Sequence, residues 1–150
     1  MKSPSSESVA TLMIVDIARL LRKRFELSMA SVDTGLTVAE ARTLAFIGRF
    51  PGLRQTALAE RMSVEPMTLV GYLDSLETAG LIERSIDPAD RRAKLVNLTS
   101  SAAPVMAKID DVTTEVRAET FRGMSTSERA HLENLLNRMK SNLQNADGGS

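Results

Sequence analysis

The sequence predicts a mainly α-helical chain that carries one small β-hairpin, and three observations lead there. Apolar residues recur at three- and four-residue intervals through most of the 150 residues, the rhythm of helices with one buried face. Residues 81–99 break that rhythm. There two aliphatic-rich runs, Leu81 to Ile86 and Ala93 to Thr99, flank the tip Asp87-Pro88-Ala89-Asp90-Arg91-Arg92, a turn signal that holds two guanidinium groups in solvent. Finally, residues 66–80 form a helical stretch that ends in Gly80, suited to the left-handed position after a helix, so a helix leads straight into the hairpin.

The elements follow in order. From about Glu7 to Ala30, Val9, Met13, Ile17, Leu20, Leu21 and Phe25 form an apolar stripe, with Arg19, Arg22, Lys23 and Arg24 between them as a solvated face. Thr37-Val38-Ala39-Glu40 has the capping-box pattern and opens a second helix through Leu44, Ile47 and Gly48, which Pro51-Gly52 breaks. Residues 55–62 make a short third helix, and Ser63-Val64 a tight turn. The fourth helix starts at Pro66, whose missing N–H costs nothing in a first turn, and buries Leu69, Leu73 and Leu76. After the hairpin, Thr99 or Ser101 caps a fifth helix to about Arg122, carrying Val105, Ile109, Val112 and Val116 on one side and stopped by Gly123. Ser125-Thr126-Ser127-Glu128 opens a sixth through Leu132, Leu135, Leu136, Met139 and Leu143, and residues 144–150 read as a flexible tail.

A helix-turn-helix followed by an arginine-tipped hairpin is a winged helix-turn-helix, the arrangement that places one helix in the DNA major groove and a wing against the backbone or minor groove. The core of that element is about residues 38–99. The flanking helices, about 7–30 and 101–143, are too long for so small a core to cover and would leave apolar stripes in water. They are therefore expected to be dimerisation helices, packed about a two-fold axis, within one 1–150 domain. Two recognition helices would then stand about 34 Å apart, one DNA turn, on a pseudo-palindromic operator in double-stranded DNA.

Composition excludes several classes. The chain has no cysteine, so it holds no disulfide, thiolate metal site or cysteine-based peroxide sensor. No apolar run approaches a membrane span or a signal-peptide core, and a cytoplasmic location is expected. Catalysis finds no foothold: His131 is the single histidine, Asp110 and Asp111 are adjacent and point apart on a helix, and no Gly-x-Ser-x-Gly elbow occurs. No cofactor or metal is expected. The net charge of zero limits non-specific attraction to phosphate, but Arg91, Arg92 and Lys94 concentrate positive charge on the hairpin.

The run Asp87-Pro88-Ala89-Asp90-Arg91-Arg92, closed by Val96-Asn97-Leu98-Thr99 and preceded by the stretch from Leu73 to Arg84, resembles the MarR family of bacterial transcription regulators. The resemblance extends over nearly the whole chain, including the helix order and the start of the last helix. It implies a homodimer on palindromic DNA, usually a repressor, often released by a small anionic or phenolic effector. By position it makes Asp90 and Arg91 the wing-tip pair, the arginine entering the minor groove and the aspartate holding it, with Arg92 and Lys94 supporting the wing or touching phosphate. On the fourth helix it turns Pro66, Met67, Thr68, Val70 and Gly71 toward the major groove, where Thr68 can hydrogen-bond and Met67 can meet a thymine methyl.

The chain departs from many relatives at Gly71, where a base-reading polar or basic residue is common. Specificity is accordingly expected to lean on apolar contacts, Arg91 and DNA shape. An effector pocket is expected between the dimer helices and the core, near the second helix and the start of the fifth. Two other classes stay open: a winged helix used for protein contact through Met67 and Val70, without specific DNA binding, and an enzyme, for which a titratable constellation is missing.

Overall fold

The computed structural model describes residues 3–148. Six helices form: α1 (Ser6–Ala30), α2 (Val38–Arg49), α3 (Gln55–Met62), α4 (Pro66–Thr78), α5 (Ala103–Thr120) and α6 (Thr126–Asp147). Three strands, β1 (Leu53–Arg54), β2 (Ile82–Asp87) and β3 (Asp90–Leu98), make an antiparallel sheet in the order β1-β3-β2. Both the mainly helical class and the small β-wing expected from the sequence are present. The chain divides into two compact units, one ending at Val116 and the other beginning at Arg117.

The first unit is built around the winged helix. The capping box of α2 is complete, since the Thr37 hydroxyl accepts from the Glu40 N–H at 3.2 Å and the Glu40 carboxylate accepts from the Thr37 N–H at 3.0 Å. Leu44 and Ile47 of α2, Leu58 and Met62 of α3, Leu69, Leu73 and Leu76 of α4, Val96 of β3 and Ile109 of α5 are fully buried and form one aliphatic core. Each apolar side chain of that size contributes on the order of 1.5–3 kcal/mol when removed from water. Gly48 marks a close approach: a side-chain carbon there would stand 2.8 Å from the Met106 methyl.

Two departures from the sequence reading concern element ends. The break at Pro51-Gly52 contains a strand, β1, in which Leu53 pairs with Val96 and Arg54 with Leu95. Its two residues are too few to show an alternating pattern, and pairing with β3 creates it. Thr99 does not cap α5. Its hydroxyl donates to the Gly80 carbonyl at 2.5 Å, and a 3₁₀ turn at Ser100–Ala102 leads into the helix instead. Gly80 takes the left-handed conformation expected of it, with φ of 75°, and Gly123, expected to stop the fifth helix, is left-handed too, with φ of 80°.

α1 is held to this unit by its C-terminal end, where Met29 is buried and Phe25 packs against the core. Its N-terminal half is another matter: Leu12 and Val15 are 64% and 66% exposed, and Val9, Met13, Ile17 and Leu20 are open as well. In the second unit, Ser125 caps α6 by accepting from the Glu128 N–H at 3.1 Å. α6 runs one turn past Leu143 to Asp147, because Gln144 to Asp147 extend the helix although they carry no apolar side chain larger than alanine. Leu135, Leu136, Met139 and Leu143 are exposed along it. Of the tail expected at 144–150, residues 149 and 150 lie outside the described residues.

Candidate nucleic-acid interface

α3, a tight turn and α4 form the helix-turn-helix. The turn is made by Ser63, which takes φ 51° and ψ 45°, a left-handed backbone uncommon for a residue with a side chain. Its N–H returns to carbonyls of α3, and the Val64 N–H donates to the Ala59 carbonyl at 3.0 Å. Arg42 of α2 braces the same turn from behind. It donates to the Met62 carbonyl at 3.0 Å and lies over the Phe46 ring. Burial, then the nearby Arg22 guanidinium, pulls the Arg42 pKa down.

Glu65 caps α4 by accepting from the Thr68 N–H at 3.1 Å, and Pro66 occupies the first turn. With Leu69, Leu73 and Leu76 turned into the core, Pro66, Met67, Thr68 and Gly71 face outward; Met67 is 72% exposed. Val70 does not share that full exposure. It is half-buried at the edge of the outward face, beside the buried Leu69.

The wing turns at Pro88-Ala89. Its register is regular from Ile82↔Leu98 to Ile86↔Lys94 and then shifts, with Asp87 opposite Asp90. Arg91, Arg92 and Ala93 are thereby thrown into a bulge on β3 with no counterpart on β2. Such a bulge re-aims side chains away from the regular pleat, and Arg91, Arg92 and Lys94 are all exposed.

Four polar contacts shape the wing, and three of them involve residues that sequence reasoning did not single out as functional. Asp87, although buried, accepts from the Arg54 Nε at 2.7 Å and from the Ala89 N–H at 2.9 Å, which ties the tip to β1 and tightens the turn. The Ala89 N–H first, and then the Arg54 side chain, hold the Asp87 carboxyl below the usual aspartate range. The third contact lies at the base. Arg84 Nη2 donates to Asp74 at 2.6 Å and to Glu77 at 3.0 Å, while its Nη1 reaches Gln55 at 3.4 Å. β2 is thus clamped to both α3 and α4. Glu77, hydrogen-bonded by Arg84, is held below the usual glutamate range, and Arg84 is raised in turn.

The fourth contact corrects an expectation. Asp90 accepts from the Arg92 N–H at 3.1 Å, so it braces the backbone of the bulge; no ion pair between Asp90 and Arg91 occurs among the described residues. An aspartate two residues before an N–H closes a local turn readily, and that short-range bond wins over a flexible guanidinium.

Electrostatically, α4 brings carboxylates to this face at Glu65, Asp74 and Glu77, and Arg84 neutralises the last two. Arg91, Arg92 and Lys94, which form no ion pair among the described residues, stand exposed on the wing. This is a surface with a cation-free helix face and a positive ridge beside it.

A family model described as the MarR family matches residues 36–94, which span the helix-turn-helix and the tip of the wing. Over that segment the chain is similar to the MarR family. Among solved structures, a MarR-family transcriptional regulator from Silicibacter pomeroyi is 27% identical, with a TM-score of 0.77 over 91% of this chain and 90% of the other. The transcriptional regulator PA3341 is 29% identical, with a TM-score of 0.76 over 90% of this chain and 98% of its own. MarR itself is 26% identical, with a TM-score of 0.66 over 100% of this chain and 99% of the other. The chain has the fold of MarR-family transcription regulators, and members of that family are regulators rather than enzymes. Among the described residues, no helix is long and apolar enough to cross a membrane.

Proposed function

We propose that this protein is a homodimeric repressor that grips a pseudo-palindromic operator through α4 and the wing, and lets go when a small anionic or phenolic ligand binds. The observation that carries the DNA reading is the contrast in arginine use: Arg54 and Arg84 are engaged inside the fold, whereas Arg91 and Arg92 project from a bulge beside the outward face of α4. Arg91 enters the minor groove, Arg92 and Lys94 meet phosphate, and Pro66, Met67, Thr68 and Gly71 face the major groove, with Val70 at its edge.

Dimerisation is supported by the open apolar residues of α1 and, separately, those of α6, each too extensive to leave in water. A second copy of the chain covers them, within a single MarR-like domain whose helices at about 7–30 and 101–143 do the pairing and whose 38–99 core binds DNA. Such a protein works in the cytoplasm.

Effector release is supported by a 370 Å³ cavity lined by Arg22 and Glu26 of α1, Val38 and Arg42 of α2, Val64 of the turn and Tyr72 of α4. Its walls are α1, α2, α4 and the turn before α4. Arg22 is paired with Glu26 at 2.9 Å, so the Arg42 guanidinium, with a phenol and two valines around it, is the group that suits a small anion carrying an apolar ring. Because Arg42 also braces the helix-turn-helix through Met62, a ligand that draws its guanidinium away repositions α4. A coupling of about 1–3 kcal/mol would change operator affinity roughly 5- to 150-fold.

Selection of bound duplexes from a random pool tests this reading, followed by the mass of the complex and a titration with benzoate. A pseudo-palindromic winner bound by two chains and weakened by benzoate is the expected result. Binding without any preferred sequence overturns the operator reading and favours a winged helix used for protein contact through its exposed Met67. A winner indifferent to benzoate and to phenol overturns the effector part alone.

A further inference from the structure

Gly71 sits at the centre of the outward face of α4, one turn beyond Met67 and one turn before Ser75. Its backbone is ordinary helix without a positive φ. A side-chain carbon built on it meets nothing within 4 Å. Neither a turn nor internal packing therefore asks for glycine, although glycine is the least favourable residue but proline inside a helix. Something outside the subunit has to account for it.

The rest of the helix narrows what that is. From Pro66 to Thr78 there is no arginine, lysine, asparagine or glutamine, so the side chains that form paired hydrogen bonds with base edges are missing. The outward surface is instead a notch. Met67, 72% exposed, bounds it on one side, Asp74 and Ser75 bound it on the other, and the bare Gly71 backbone is its floor. Asp74 is held by Arg84 at 2.6 Å, which keeps that carboxylate from facing the groove as an unpaired charge. A notch one side chain deep, with Met67 as its apolar wall, fits the one apolar group that projects into the major groove, the C5-methyl of thymine.

We propose that Gly71 is a specificity-determining residue, whose missing side chain lets α4 approach the base edges closely and seats a thymine methyl beside Met67. The inference rests on the DNA-binding reading above and adds the base that the helix selects. It makes the effects of one substitution on folding and on binding run in opposite directions. Gly71→Ala places a methyl group in open space on a helix, so the free protein gains stability, with Tm rising by about 2–4 °C. The same methyl fills the notch, so affinity for the selected duplex falls roughly tenfold, comparable to a mismatched base pair.

The decisive experiment measures wild type and Gly71→Ala on the selected duplex and on one in which the half-site thymines are replaced by deoxyuridine, which removes only the methyl groups. The expected result is that deoxyuridine weakens the wild type severalfold and leaves Gly71→Ala almost unchanged, since the variant has already lost the contact. Equal affinity of the two proteins for the thymine duplex overturns the proposal, as does an equal penalty from deoxyuridine on both. Failure of the wild type to prefer any duplex overturns the DNA reading and this inference with it.

Discussion

At the base of the wing, Arg84 is 11% exposed along its side chain and donates to Asp74, Glu77 and Gln55; at the tip, Arg91 and Arg92 stand exposed on a bulged strand. Each end carries arginine, yet the charge does different things. The base converts it into rigidity, fixing how α4 is turned relative to the sheet and cancelling two carboxylates that would repel phosphate. At the tip the charge is left exposed, and the tip's shape is maintained by other residues, chiefly Asp87 with Arg54 and Asp90 with the Arg92 N–H. A positive patch on a chain of zero net charge thus comes from arranging which cations are satisfied inside the fold and which are not.

The sharpest way to break the comparison is Arg84→Ala. It uncouples β2 from α4 and exposes two unpaired carboxylates, so operator affinity should fall roughly 10- to 100-fold at about 0.15 M salt, with Tm lower by about 3–6 °C. Adding Asp74→Asn and Glu77→Gln to that variant separates the two contributions. Recovery of affinity without recovery of Tm assigns the binding loss to charge; no recovery assigns it to the position of α4.

Asp87→Asn probes the tip. It removes the charge that holds Arg54 while leaving Arg91 and Arg92 untouched, and a looser tip should cost roughly threefold in affinity. The pH dependence has a definite sign. Because the folded Asp87 lies below the usual 3.8, its brace is intact above that value and is lost as pH falls through the lower folded value. The Ala89 amide resonance should shift over that acidic window in the wild type and lose this titration in Asp87→Asn. A titration centred above 3.8 would contradict the assignment.

The smallest effect is expected at the turn between α3 and α4. Ser63→Gly relieves a left-handed backbone and should raise Tm by about 1–3 °C with operator affinity unchanged. A drop in affinity would mean that the Ser63 hydroxyl itself meets DNA.

The helices were legible in the sequence because their apolar periodicity, their capping residues at Thr37 and Ser125 and their terminal glycines at Gly80 and Gly123 are all local signals. The wing was legible for the same reason, with Asp-Pro and paired arginines between two aliphatic runs. What stayed hidden was long-range. β1 exists because Leu53 and Arg54 find β3 some forty residues later. Arg84 meets carboxylates seven and ten positions away across a change from helix to strand, a separation no periodicity predicts. The Asp87 turn was within reach, since an aspartate before proline commonly accepts from the N–H two residues on; its second partner, Arg54, was not.

The central claim is that Arg91 and Arg92 are held for DNA while the other arginines of the wing are engaged in the fold. Its most direct test is the salt dependence of binding to the selected duplex, compared between wild type and Arg91→Ala/Arg92→Ala. A protein that binds as a dimer presents four such arginines, so removing them should flatten the slope of log affinity against log salt by about 0.9 for each one that neutralises a phosphate, with Tm unchanged. Identical slopes for the two proteins would contradict the claim and move DNA binding, if it persists, off the wing.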